Sequence, residues 1–215
     1  MKFENTKVYN FDGAIRGARN PMESWSKSDS VFDVPPQGKT ILGKNDLGLM
    51  QRLIKAAVHD GHESHNKFLR QIMVCVDITA PLFWWKEFDT YKVATVANST
   101  STMHKIHAKP FELADFSVDK LSDGALAAFR TYMDYMEATR RRFVETKDKR
   151  DWYDLIQLLP SSYNQLRTVT MNYETLINIY YARRAHKLDE WHVFCDWIRT
   201  LPYADDLICC REEER

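Results

Sequence analysis

Residues 172–184 have the sequence NYETLINIYYARR, and this stretch says most about the fold of the chain. Apolar and aromatic side chains fill most of it, which predicts a helix, and a Leu-Pro pair stands upstream at residues 159–160. Three polar side chains interrupt the apolar run: Asn172, Asn178 and Arg183, six and five residues apart. Two amides and a guanidinium in such a segment are typical of groups that face a ligand. A ligand-binding site is therefore the leading hypothesis for this segment.

The segments around this stretch predict helices alternating with strands. Apolar residues recur at helical spacing after Asn45, which we expect to cap a helix that ends near Gly61. The other predicted helices cover residues 13–19, 82–88, 121–147, 173–185 and 190–201; strands are predicted at residues 72–78 and 166–171; and the Thr- and Ser-rich residues 95–102 are predicted to form a loop. The length suits one domain over residues 1–215.

Composition narrows the possible classes of protein. Hydrophobic residues make up 44% of the chain, which indicates a globular protein, and the 30 basic residues equal the 30 acidic ones. This balance argues against nucleic acid and anionic membranes as partners. The four cysteines form no CxxC pair, so structural zinc and a disulfide framework are not expected. Without a signal-peptide pattern at the N-terminus or an apolar run of transmembrane length, we predict a cytoplasmic location.

Three patches of sequence resemble the flavin-dependent thymidylate synthases, the thymidylate synthase complementing protein family, over roughly residues 10–205. They are AIRGAR at residues 14–19, GHES at residues 61–64, and the series formed by Leu159-Pro160, Asn172, Asn178 and Arg183. The series is the most specific, because its intervals match those of the family. The resemblance implies an α/β (α+β) fold of that family, with a central mixed sheet flanked by helices that include one long helix.

The chain departs from the family where the family is most distinctive. Counted from Ala80-Pro81, the Arg-His-Arg signature falls on Thr90-Tyr91-Lys92, and the downstream Glu-x-Ser-x-Arg falls on residues 98–102. The family's Ala-Gln-x-Glu-Ile, which follows the arginine, is replaced by LDEWH at residues 188–192. Threonine and tyrosine cannot supply the charged fork with which arginine binds phosphate. We therefore identify the chain as resembling a divergent member that lacks the Arg-His-Arg signature.

The resemblance implies transfer of a one-carbon unit to a pyrimidine deoxynucleotide such as dUMP, with reduced FAD as hydride donor. Reduced nicotinamide and methylenetetrahydrofolate would be co-substrates, the pathway would be dTMP biosynthesis, and the assembly would be a homotetramer. By the same resemblance the residues divide into three groups. Lys92 and Tyr91 are catalytic candidates; His62, Ser64, Thr90, Asn172 and Asn178 would contact the cofactor; Glu87, Lys92, Thr100, Ser101 and Arg183 would contact the substrate.

Simpler interpretations stay open for several of these residues. Asn172 is also a suitable helix cap, whereas Asn178, if buried, would need polar partners. The aromatic residues 83–88 are more typical of a core or a subunit interface than of a base-stacking surface. The histidines at positions 65, 104 and 107 lack the spacing of a metal site, so no metal is expected. The alternative function is a catalytically inactive homologue that binds a nucleotide or serves as a structural or interaction protein.

Overall fold

The computed structural model of the protein describes residues 1–34, 39–59 and 65–210. In chain order the strands are β1 (Lys2–Tyr9), β2 (Val31–Val34), β3 (Lys39–Ile41), β4 (Met73–Pro81), β5 (Val96–Ser99) and β6 (Asn164–Asn172). The helices are α1 (Phe11–Arg19), α2 (Lys44–His59), α3 (Leu82–Phe88), α4 (Asp123–Thr146), α5 (Lys149–Gln157), α6 (Tyr173–Arg183), α7 (Asp189–Arg199) and α8 (Ala204–Leu207).

The main sheet has four strands in the order β1-β4-β6-β5, and β2 pairs with β3 in a separate antiparallel ladder. Helices stand between successive strands of this sheet, α1 and α2 between β1 and β4, α3 between β4 and β5, and α4 and α5 between β5 and β6, as the α/β prediction requires. The chain divides into two compact units. The first contains residues 1–2, 77–90 and 97–168, and the second contains residues 3–76, 91–96 and 169–215. The expectation of one domain over residues 1–215 stays a prediction.

The second unit is built around α6, which is apolar on nearly every side. Tyr173, Leu176 and Ile177 are fully buried, and α7 adds Trp191 and Phe194, which are also fully buried. A helix that is apolar all round is stable only inside a core. Burial of these large side chains, each worth roughly 1.5–3 kcal/mol, is the main stabilising term for this unit.

A buried polar network fixes the ends of α1 and α2 within this unit. The Asp46 carboxylate is fully buried and lies 2.6 Å from the Arg19 guanidinium, which is 4% exposed. Asp46 also accepts hydrogen bonds from the hydroxyls of Ser28 and Ser30 and from the backbone N–H groups of Asp29 and Ser30. Burial raises the pKa of Asp46, but these hydrogen bonds outweigh burial, so that the pKa lies below its ordinary value.

The N-terminus of α2 is capped from outside the helix. The Asp29 carboxylate accepts hydrogen bonds from the backbone N–H groups of Asn45 and Asp46 at 3.0 and 3.1 Å. The prediction that Asn45 caps this helix is therefore wrong, since the helix begins at Lys44 and Asn45 is a donor. Gly43 allows the approach, because a Cβ at this position would lie 2.2 Å from the Asp29 side chain.

The first unit has a separate core under the long helix α4. Ile106, Phe111, Phe116, Met136 and Leu155 form a buried apolar cluster, which brings the loop before α4 together with α4 and α5. Glu137 on α4 closes this arrangement. Its carboxylate accepts hydrogen bonds from the Arg140 guanidinium and from the backbone N–H of Phe111.

Most predicted elements are present with shifted ends, including the long helix, which spans Asp123–Thr146. Trp84, Trp85 and Phe88 are buried, which confirms the core interpretation of that aromatic segment. The loop prediction for residues 95–102 is wrong, because Val96–Ser99 forms β5. Thr100 continues the pairing, since its backbone N–H donates to the Leu166 carbonyl at 2.9 Å. Pairing with the neighbouring strand β6 orders this segment as a strand, although its Thr- and Ser-rich composition does not indicate one.

Candidate functional site

The clearest polar constellation in the second unit brings together two residues that the sequence placed in one site. The Nε–H of Arg183 donates to the Tyr91 hydroxyl at 2.7 Å. The Arg183 guanidinium carbon lies 5.4 Å from the centre of the Tyr91 ring and 4.6 Å from the centre of the Trp191 ring. The Tyr91 and Trp191 rings stand at 70° to each other with centres 6.0 Å apart. We call Tyr91, Arg183 and Trp191 the arginine bracket.

Tyr91 reaches this place because a second contact ties its loop to α6. The Thr175 hydroxyl donates to the Val93 carbonyl at 3.3 Å, and Ala94 takes a left-handed backbone conformation with φ of 54°. Thr175 is itself held by Asn172, whose side-chain oxygen accepts the Thr175 backbone N–H at 2.9 Å. The cap interpretation of Asn172 is thereby confirmed, and the cap orders the residue that anchors the Tyr91 loop.

The remaining cofactor-binding candidates have different positions. Asn178 lies on α6 and is exposed, so the requirement for polar partners that burial would impose does not apply to its amide. Its assignment to a cofactor stays a prediction based on resemblance. His62 and Ser64 lie outside the described residues. Lys92, a catalytic and substrate-binding candidate next to Tyr91, is exposed.

The candidates Glu87, Thr90, Thr100 and Ser101 belong to the first unit. The Thr90 hydroxyl donates to the Glu87 carbonyl at 2.7 Å, which closes the last turn of α3. The Thr100 hydroxyl donates to the Leu166 carbonyl at 3.3 Å, and the Ser101 hydroxyl accepts the backbone N–H of His104 at 2.9 Å. Each hydroxyl thus has a structural hydrogen bond, and each oxygen keeps further capacity to accept.

A cavity of about 440 Å³ lies in the second unit beside the end of α1. Leu49, Leu53 and Phe68 contribute apolar surface, while His65 and Lys67 contribute polar groups. His65 directly follows the segment that contains His62 and Ser64 in the sequence. The arrangement, apolar with a few polar groups, is typical of small-molecule sites.

Two thiols of this unit, those of Cys195 and Cys209, are poorly suited to nucleophilic catalysis. Burial raises the pKa of the Cys195 thiol to about 11, and burial also raises the pKa of Cys209. A thiol that stays protonated at neutral pH is a weak nucleophile. No cluster of three or more His, Cys, Asp or Glu side chains suited to a metal occurs in the part of the chain that the structure describes.

Sequence reasoning missed Trp191 as part of the site. The sequence shows only that residues 188–192 depart from the family pattern. A tryptophan eight residues after Arg183 does not by itself indicate which side chain it will contact. The chain turns between the end of α6 at Arg183 and the start of α7 at Asp189, and this turn places Trp191 beside Arg183. The sequence carries no signal for this contact, because the burial of Trp191 and its distance from Arg183 are not visible in a local pattern; once both are known, the pair is a frequent cation–π arrangement.

No helix within residues 1–34, 39–59 and 65–210 combines the length and apolarity needed to cross a bilayer.

Comparison with known proteins identifies solved structures that share the fold of this chain. No protein-family model matches the chain, and no curated protein matches it by sequence. Two solved structures of the flavin-dependent thymidylate synthase ThyX from Helicobacter pylori, both with FAD and dUMP, are similar to it. The match to the first has a TM-score of 0.68 and 17% sequence identity, and it covers 97% of this chain and 98% of the ThyX chain. The match to the second has a TM-score of 0.70 and 16% sequence identity, and it covers 97% of each chain. The chain therefore has the mixed α/β fold of flavin-dependent thymidylate synthase ThyX.

Proposed function

We propose that the protein is a divergent flavin-dependent thymidylate synthase-like enzyme, which transfers a one-carbon unit to a dUMP-like pyrimidine deoxynucleotide. The observation that carries the proposal is the 2.7 Å hydrogen bond between Arg183 and Tyr91. Arg183 ends the Asn-Asn-Arg series, and Tyr91 stands in the loop that replaces the basic signature. The fold likeness to ThyX structures that contain FAD and dUMP adds support.

In this proposal the arginine bracket forms the nucleotide end of the site. Arg183, at the end of α6, supplies a permanent positive charge for an anionic oxygen of the substrate. The exposed Lys92, in the loop that contains Tyr91, adds a second cation. Tyr91 and Lys92 would touch the reacting ligand. Glu87, Thr100 and Ser101 are assigned to the substrate by resemblance alone.

The cavity beside α1 fits part of a flavin, because it offers an apolar wall with a few polar groups. Lys67 at this cavity suits a phosphate group of FAD. His62, Ser64, Thr90, Asn172 and Asn178 are the further cofactor contacts that resemblance assigns. When bound, the flavin would supply the hydride, with reduced nicotinamide and methylenetetrahydrofolate as co-substrates.

The decisive experiment measures cofactor and nucleotide binding separately. Purified protein is mixed with FAD, free flavin is removed, and retained flavin is quantified from its visible absorbance. dUMP is then titrated by calorimetry into wild type, Arg183→Ala and Arg184→Ala. Arg184 is the matched control, because it is the adjacent arginine and its side chain is exposed. We expect retained flavin, dUMP binding by wild type and the control, and loss of dUMP binding in Arg183→Ala.

The outcomes separate the enzyme from the alternative. dUMP binding without flavin retention or turnover would favour a catalytically inactive homologue that binds a nucleotide. Absence of both flavin and nucleotide binding would contradict the proposed function and leave a structural or interaction role. Activity is measured as flavin-dependent conversion of dUMP with methylenetetrahydrofolate and reduced nicotinamide present.

A homotetramer is part of the proposal. Strand β5 is the last strand of the main sheet, and its residues are exposed along its length, with Val96 65% exposed. An edge strand is a surface that a partner commonly covers, and Val96 adds one large exposed apolar side chain to this edge. Light scattering of the purified protein should give four times the chain mass of 25.3 kDa. A cytoplasmic location stays a prediction.

A further inference from the structure

We propose that Trp191 is a positioning residue that holds Arg183 in the orientation needed to bind an anionic oxygen of the nucleotide. This inference rests on the proposed function. Trp191 is fully buried, and the Arg183 guanidinium carbon lies 4.6 Å from the centre of its ring. An arginine over an indole face is attracted by the ring quadrupole and keeps its full charge, because the partner is neutral.

Two contacts of different geometry constrain the guanidinium. The Trp191 ring restricts the position of the group over its face, whereas the Tyr91 hydroxyl fixes the Nε edge through a hydrogen bond of 2.7 Å. The two rings meet edge to face, at 70°, so the face contact and the edge contact act in different directions. Together they restrict both translation and rotation of the guanidinium before any ligand arrives.

The geometry also determines how a ligand can approach. Because Nε already donates to Tyr91, an incoming oxygen must either meet the terminal nitrogens of Arg183 or displace the Tyr91 hydroxyl. We infer the first route, because the Thr175 hydroxyl and the Val93 carbonyl, 3.3 Å apart, tether the Tyr91 loop to α6. An arginine that is ordered in advance loses less conformational entropy on binding. Trp191 should therefore strengthen binding through Arg183, without a contact of its own to the anionic oxygen.

The test uses the full chain and two readouts. The first is the side-chain Nε–H resonance of Arg183 in ¹⁵N-labelled protein, assigned by its absence in Arg183→Lys. The second is the dissociation constant for dUMP from calorimetry. The variants are Trp191→Phe, which keeps an aromatic face, Trp191→Leu, which removes it, and Tyr91→Phe, which removes the hydroxyl. Far-UV circular dichroism checks that each variant is folded.

We expect Trp191→Leu and Tyr91→Phe each to move the Arg183 resonance toward the position of an exposed arginine. Each should weaken dUMP binding roughly tenfold, the effect of losing one cation–π contact or one charged hydrogen bond. Trp191→Phe should leave both the Arg183 resonance and the dissociation constant for dUMP close to their wild-type values. Since Trp191 is buried, Trp191→Leu could fail to fold; Tyr91 is half-buried, so Tyr91→Phe keeps the test open.

Two results would overturn the inference. One is an Arg183 resonance unchanged in folded Trp191→Leu, which would show that the ring does not hold the guanidinium. The other is tighter dUMP binding in Tyr91→Phe, which would show that the hydroxyl competes with the ligand. If wild type binds no dUMP, the proposed function fails, while the resonance still decides whether Trp191 orders Arg183.

Discussion

Asp46→Asn tests whether the buried network at the ends of α1 and α2 is required for stability. One Asp46 oxygen accepts from the Arg19 guanidinium at 2.7 Å. The other accepts four hydrogen bonds, from the hydroxyls and backbone groups of residues 28–30, at 2.6 to 3.0 Å. Asparagine has the same shape but only one oxygen. Either orientation of the amide turns its N–H₂ group toward hydrogen-bond donors.

The magnitude follows from the burial of both charges. Arg19 is 4% exposed and Asp46 fully buried, so the substitution leaves a buried guanidinium without its carboxylate. Removing one partner of a buried ion pair costs about 3–5 kcal/mol. Asparagine keeps one acceptor, so we expect a loss of ~3 kcal/mol in the free energy of unfolding, at the lower end of that range. For a chain of 215 residues this corresponds to a fall of roughly 6–12 °C in Tm.

The assay is reversible denaturation by guanidinium chloride, followed by circular dichroism, at pH 7 and at pH 3. Because the pKa of Asp46 is lowered in the folded protein, its carboxylate stabilises the fold above the pKa of the unfolded chain. That stabilisation is lost as pH falls through the folded pKa, so the difference between wild type and variant should shrink in acid. The exposed Asp119, changed to Asn, is the control. A variant within 1 kcal/mol of wild type at pH 7, about the spread of surface substitutions, would refute the reasoning.

Three further predictions concern other polar groups. Hydrogen bonding by Arg140 lowers the pKa of Glu137 to about 2, so Glu137→Gln should lower the free energy of unfolding at pH 7. The free energies of unfolding of variant and wild type should converge as pH falls from 4.5 toward 2. Glu145→Gln is the control. Burial, with nearby cations, lowers the pKa of His107, so wild type should lose stability as pH falls through the unfolded value of 6.5. That slope should disappear in His107→Gln but persist in His104→Gln. Asn172→Ala should lower unfolding free energy by about 1 kcal/mol, and Asn172→Ser should restore it.

The sequence by itself determined the elements whose stability is local. The apolar period of residues 121–147 predicted α4, and the Asn172 side chain predicted the N-terminus of α6, because a cap bonds to a backbone group only three residues away. The ordered patches also predicted the α/β fold that the structural likeness supports. The helix and the cap depend on neighbours in sequence, so local patterns can predict them, whereas the fold was predicted from the resemblance to a family.

Only the tertiary structure decided the features that depend on distant partners. Strand β5 has a polar sequence and is ordered by pairing with β6, and the cap of α2 comes from Asp29, fifteen residues before the start of the helix at Lys44. Tyr91 and Arg183 are 92 residues apart in sequence, yet their side chains share a hydrogen bond. Trp191 joins them because the chain turns between α6 and α7. Contacts of this kind are fixed by packing and backbone direction, which no local pattern records.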